Sequence, residues 1–166
     1  MFNSIRWRIA IPYVVLILLL MVGLSIYFSN VVRQIYLGNL KNQLLIQTRL
    51  AANEFNKEFA SGPSSLDAQA SDWSKMTNAR VTFVASDGTV IGESHDDRTR
   101  MDNHINRPEI IQARETGSGT SIRFSHTEGY DMLYAAVPVQ SSAGPIGYVR
   151  MALPLQEIQA NYSNCI

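Results

Sequence analysis

Six side chains concentrate the chemistry this chain can offer: Asn103, His104, Arg107, Arg123, Tyr134 and Arg150. Asn103, His104 and Arg107 sit where a polar loop runs into the helix signal Asn106-Arg107-Pro108-Glu109. A helix start offers free N–H groups and a favourable dipole to an anion, and Arg107 adds a planar fork of donors. The same residues have a purely structural use. Asn106 is a good N-cap, Glu109 three residues later can complete a capping box, and Arg107 can pair with a nearby Asp. Arg123, Tyr134 and Arg150 fall on three successive strand patterns. Strand alternation turns Arg123 away from Ile122 and Phe124, and puts Tyr134 and Arg150 on the polar faces of their strands. The three could converge on a carboxylate or phosphate. A cross-strand ion pair with Asp131 or Glu128 would use them too, at little gain in stability.

Other chemistry is poorly supported. His95, Asp96, Asp97, Asp102 and His104 crowd one loop and are ligand types for Zn²⁺ or Ca²⁺, but they lack a recognised ligand spacing. No metal and no cofactor is expected. Ser125 and His126 are adjacent, so on a strand they point to opposite faces and cannot act as nucleophile and base. No Gly-x-Ser-x-Gly, phosphate-loop or paired-cysteine motif occurs, and no catalytic residue is assigned. The formal net charge is zero, and beyond Phe28 there are 12 basic and 14 acidic residues, so a nucleic-acid footprint is lacking. The lone Cys165 has no internal disulfide partner.

The elements that must position these residues follow from changes of period. Ile9 to Phe28 is an uncharged run in which thirteen residues are Ile, Leu, Val or Phe. Such a run favours the bilayer by about 4 to 8 kcal/mol on an insertion scale and is long enough to span it. Arg6 and Arg8 precede it, which places the N-terminus in the cytoplasm. The run is too long, and Ser25 to Ser29 too bulky, for a cleaved signal peptide. From Asn30 to Ala60 apolar residues recur mostly three or four apart, predicting a long amphipathic helix. Gln47 and Thr48 interrupt its stripe. That helix can pack on its own domain, pair with its twin in a homodimer, or do both on different turns.

Ser61-Gly-Pro-Ser-Ser65 breaks the helix, and a short one is expected over Leu66 to Met76. Then the period becomes two. Arg80 to Ala85 and Thr89 to Glu93 read as a hairpin about Asp87-Gly88. A helix over Arg107 to Thr116 precedes strands over Thr120 to His126, Met132 to Val139 and Ile146 to Leu153. Five antiparallel strands with helices on one face make an α+β sensor-type domain. Its inward residues would be Val81, Phe83, Ile122, Phe124, Leu133, Val137, Val149 and Leu153. A cleft between helical cover and sheet is the usual place for a small ligand.

Several stretches together carry a resemblance. They are Ser86-Asp87-Gly88-Thr89-Val90, Met101 to Glu109, Ser121 to Ser125, Gly129 to Tyr134, Val137-Pro138 and Gly147 to Pro154. In this order, Arg80 to Leu155 resembles the extracytoplasmic PAS-like (single Cache) domain of phosphate-regulon-type sensor histidine kinases. The resemblance implies a membrane-anchored signal-input domain of a two-component system in a bacterial cell membrane, with a small molecule or a protein as its signal. In such kinases a second span, a HAMP linker, a dimerisation domain and an ATP-binding domain follow. None is in this chain, which therefore reads as the front end of a kinase without kinase activity of its own. A chemoreceptor or cyclase input domain, or a self-contained anchored binding protein, would share the visible features. The expected organisation is a cytoplasmic tail (1–8), a transmembrane helix (9–28), an extracytoplasmic helical region (29–79), a PAS/Cache-like domain (80–156) and the truncated start of an exit helix (157–166).

Overall fold

A computed structural model describes residues 5–56, 63–125, 129–141 and 144–155, without the side chains of residues 5–8 and 63–65. The expected exit helix, His126, Cys165 and the end of the long helix beyond residue 56 lie outside them.

The apolar run and the amphipathic stretch form one continuous helix, α1 (Ile5–Glu54). The chain divides into two units, Met1–Leu40 and Lys41–Ile166. In the first, residues 9–30 are all exposed, and the helix there is long and apolar enough to cross a membrane. Pro12 lies in the second turn of α1.

In the second unit, Leu44, Thr48, Ala51, Ala52 and Phe55 are buried at helical spacing. Thr48 does not interrupt this stripe, because its hydroxyl donates to the Leu44 carbonyl at 2.7 Å and so enters the core satisfied. The next elements are α2 (Pro63–Thr77), β1 (Arg80–Ala85), β2 (Val90–Glu93), a 3₁₀ turn at Arg98–Arg100, α3 (Pro108–Thr116), β3 (Gly119–Ser125), β4 (Tyr130–Ser141) and β5 (Gly144–Pro154). The five strands form one antiparallel sheet in the order β2-β1-β5-β4-β3. Pro138 falls inside β4 beyond Ala136, which faces the first residue of β3, so β4 has a single neighbour there.

Helices cover both faces of the sheet rather than one. On the first face, Val81, Phe83, Val149, Met151, Leu133 and Ala135 are fully buried. Phe55, just past α1, meets Phe83 edge-on at 5.0 Å and Trp73 of α2 at 5.8 Å. Leu66 of α2 closes over Gly92, where an added Cβ would come within 2.8 Å of it. Ile122 and Phe124 share this face but are 41% and 50% exposed. They were expected inside; their strand is at the sheet's edge, opposite Leu133 and Asp131, where the apolar pattern continues past the cover. Leu153 is likewise only half-buried.

The opposite face is covered by α3. Ile110 and Ala113 pack on Val84, Ala136 and Tyr148, with Ile105 alongside. The capping box expected here does not form. Arg107 occupies the N-cap position without a side-chain cap bond, Pro108 opens the helix, and Glu109 turns into the core. Gly117 ends α3 in the left-handed region at φ 80°, its N–H returning to the Ala113 carbonyl.

Candidate functional site

The register places Ser121, Arg123, Tyr134, Arg150 and Arg80 on the α3-covered face. Tyr134 is opposite Ser121 on β3 and Ala152 on β5, so Arg123 and Arg150 reach it diagonally from its two neighbouring strands. Their guanidinium carbons lie 4.2 and 4.3 Å from the Tyr134 ring centroid, and the ring face attracts both cations. The convergence expected of Arg123, Tyr134 and Arg150 is therefore present.

Asp131 forms no ion pair with the arginines among the described residues, and Glu128 lies outside them. Glu109, supplied by α3, does so. Its Oε1 accepts from Arg150 Nε at 2.8 Å and lies 3.5 Å from Arg123 Nη2, while Oε2 accepts from Ser121 Oγ at 2.7 Å. Glu109 is fully buried and Arg150 is 5% exposed. Burial alone would push the Glu109 carboxyl up. The Arg150 charge, the bonds from Ser121 and Arg150 and its own backbone outweigh that, holding it below the usual value and ionised. Burial pulls Arg150 down from its ordinary value and Glu109 restores part of the loss, yet a guanidinium keeps its proton. The sequence contained one signal for this role: Glu109 sits four residues before the apolar Ala113, on the stripe α3 turns inward.

The loop before α3 brings the rest. His104 is 6% exposed, and its Nδ1 lies 2.7 Å from the Asp102 carbonyl. Burial, then the Arg150 charge, lower its pKa to about 4, so the ring is neutral at pH 7. Asn103 has a different task from the expected one. Its amide donates to the Asp87 carbonyl at 2.9 Å and accepts from the Ile105 N–H at 2.8 Å, pinning the loop to the β1–β2 turn. Gly88 makes the close approach possible: at φ 89°, an added Cβ would run into Asn103 and Ile105. Arg107 forms no ion pair among the described residues, and its Nε is buried without a hydrogen-bond partner.

These side chains surround a cavity of about 510 Å³, lined by His104, Arg107, Arg123, Tyr134 and Arg150 together with Arg80, Arg100, Ser125, Met101 and three aspartates. Asn103 is not in its lining. Two of the aspartates have partners: Asp96 accepts from Arg80 Nη2, itself in the lining, at 2.8 Å, and Asp97 accepts from Thr99, while Asp102 is the third. Among the described residues no three His, Cys, Asp or Glu side chains converge to hold a metal ion. The cavity thus presents arginine forks and a neutral imidazole beside three aspartates, and guanidinium forks are suited to oxyanions.

His104 also gives the fold a pH signature. Its folded-state pKa is depressed, so the unfolded chain binds the proton more readily. The contribution of His104 to stability is fully present above about pH 6.5 and is lost as pH falls towards about 4. A thermal midpoint falling across that window, with a shallower fall in His104→Gln, is the expected result. An identical slope in the variant would contradict it.

The fold has solved counterparts. The sensor domain of E. coli DcuS superposes with a TM-score of 0.62 at 16% identity, over 76% of this chain and 96% of that one. The sensor domain of the V. cholerae histidine kinase DctB gives 0.56 at 17%, over 93% and 62%. The ligand-binding domain of the Pseudomonas aeruginosa amino acid chemoreceptor PctB, solved with L-Gln, gives 0.59 at 18%, over 75% and 53%. The chain thus spans about half of that chemoreceptor domain and nearly all of the DcuS one. No curated protein sequence matches it significantly. The sequence model for single Cache-like domains matches residues 34–154, well over half of the chain, and on that match the protein belongs to the single Cache-like family.

Proposed function

We propose that this chain is the signal-input portion of a two-component sensor histidine kinase, and that its arginine-lined cavity receives an acidic small molecule. The observation that carries the ligand reading is the convergence of Arg107, Arg123 and Arg150 on one cavity, with one buried carboxylate, Glu109, among them. A ligand carboxylate or phosphate would supply the charge that Arg107 lacks. His104, Tyr134 and the three arginines are the proposed contacts, and Asn103 holds the loop that carries two of them. The chemoreceptor domains of like fold bound to L-Gln, L-isoleucine or L-alanine support a small-molecule role, since each of those ligands bears a carboxylate.

The membrane part of the proposal rests on the apolar segment of α1 and on Arg6 and Arg8 before it, which favour a cytoplasmic N-terminus and an extracytoplasmic domain. Homodimerisation through α1 is part of the same reading, because Ile46 and Leu50 stay exposed at 59% and 57%, one turn apart. A chemoreceptor is the second reading, favoured by the several chemoreceptor domains of like fold.

A thermal-shift panel of mono-, di- and tricarboxylates and phosphate esters on the full chain in detergent tests the ligand reading. At least one acid should raise the midpoint in a saturable way, by the mass action of binding to the folded state. A flat panel at millimolar concentrations would contradict it.

A further inference from the structure

We propose that His104 is a specificity-determining acceptor, selecting from among acidic ligands those that carry a hydroxyl beside the acid group. The inference rests on the acidic-ligand reading above and adds to it a chemical class. A carbonyl oxygen can only accept, so the 2.7 Å contact to Asp102 fixes the proton on Nδ1. A neutral imidazole protonated at Nδ1 has an unprotonated Nε2, which accepts. No described residue donates to Nε2, although His104 is 6% exposed and lines the cavity. The neutrality is secured by burial and by the charges of Arg150 and Arg107.

The cavity therefore offers oxyanions several donors, and His104 Nε2 offers a ligand's own donor a neutral acceptor on its wall. A hydroxyl satisfies it. A methylene leaves it desolvated and unpaired, a kind of mismatch that polar sites reject strongly. An ammonium at the same position meets the Arg150 and Arg107 charges that disfavour a proton on His104, and Glu109 offsets them only in part. The expected order at this position is hydroxyl above hydrogen and above ammonium.

Two matched trios read this order directly by calorimetric titration of the full chain in detergent: malate, succinate and aspartate, and lactate, propionate and alanine. Within the better-binding trio the hydroxy acid should bind about 5- to 10-fold tighter than its deoxy analogue, the ratio one hydrogen bond supplies. In His104→Phe that ratio should collapse to about one. Should this variant fold poorly, ¹⁵N shifts of His104 in the unaltered protein provide a second reading: Nε2 should respond to the hydroxy acid and not to the deoxy acid. Equal binding of hydroxy and deoxy acids, or tighter binding of the amino acid, overturns the inference and leaves the acidic-ligand reading standing. Failure of all six acids to bind overturns the inference, and a flat wider panel of acids and phosphate esters overturns the reading beneath it.

Discussion

Glu109→Ala is expected to be the costliest single substitution at this site, lowering stability by about 3 to 5 kcal/mol because it leaves Arg150 buried without its counter-charge. For a domain of this size the thermal midpoint should drop by on the order of 10 °C or more. The cause is the geometry: a fully buried carboxylate takes Arg150 at 2.8 Å and Ser121 at 2.7 Å, with Arg123 at 3.5 Å. Circular dichroism melts of the full chain in detergent would read it. Replacing both partners, Glu109→Leu with Arg150→Met, should recover much of the loss, since an apolar pair of similar volume avoids the desolvation penalty. The single substitution should also flatten the acid limb of the stability curve. A depressed carboxyl contributes stability above its unfolded value, and that contribution is lost as pH falls through the folded one. A loss within about 0.5 kcal/mol, typical of surface sites, would show that Glu109 does not hold this face together.

Gly119→Ala should come second, at about 3 kcal/mol, the upper end for forced overpacking. An added Cβ would collide with the backbone carbonyl of Glu109 and stand 2.9 Å from the Ala113 nitrogen. Backbone cannot rotate aside as a flexible side chain can, so α3 would have to lift from β3. Gly117, two residues earlier, separates the causes. It has open space around it but a φ of 80°, so Gly117→Ala should cost only the left-handed penalty of about 1 to 2 kcal/mol. Lifting α3 also moves Glu109 and the mouth of the arginine cavity, so Gly119→Ala should weaken ligand binding while Gly117→Ala should not. Equal costs for the two alanines would mean that the helix tolerates displacement.

Much of the architecture was legible from period alone. The Asp87-Gly88 hairpin, the short helix after Pro108 and the three later strands appear where alternation and turn residues put them. Alternation also sorted Arg123, Tyr134 and Arg150 onto one face, because a strand's side-chain period is fixed whatever its neighbours. What alternation cannot supply is the cover. A strand's apolar side reads the same at the edge as at the centre, so Ile122 and Phe124 looked interior although their strand is the last in the sheet. Glu109 was misread for a related reason. Its spacing from Asn106 fits a local capping box, while its partner Arg150 is 41 residues away and becomes visible only when α3 docks. Local rules propose a local partner, and a buried carboxylate with two arginines within reach outcompetes it. Asn103 illustrates the reverse. A polar residue beside the site looked like a ligand contact, yet it stands outside the cavity lining and its amide joins two turns with one donated and one accepted bond.

On the proposed reading, the arginines around this cavity hold an anion. Arg107 tests it most cleanly, because it lines the cavity, forms no ion pair among the described residues and supports no buried partner whose loss would unfold the domain. The decisive measurement is the dissociation constant, by isothermal titration, of the best-binding acid for the full chain, for Arg107→Ala and for Arg114→Ala, an exposed arginine on α3 outside the cavity lining. Loss of a charge-assisted bond of about 1.5 to 3 kcal/mol predicts affinity at least ten-fold weaker in Arg107→Ala and unchanged in Arg114→Ala. Equal affinity in all three proteins would contradict the account.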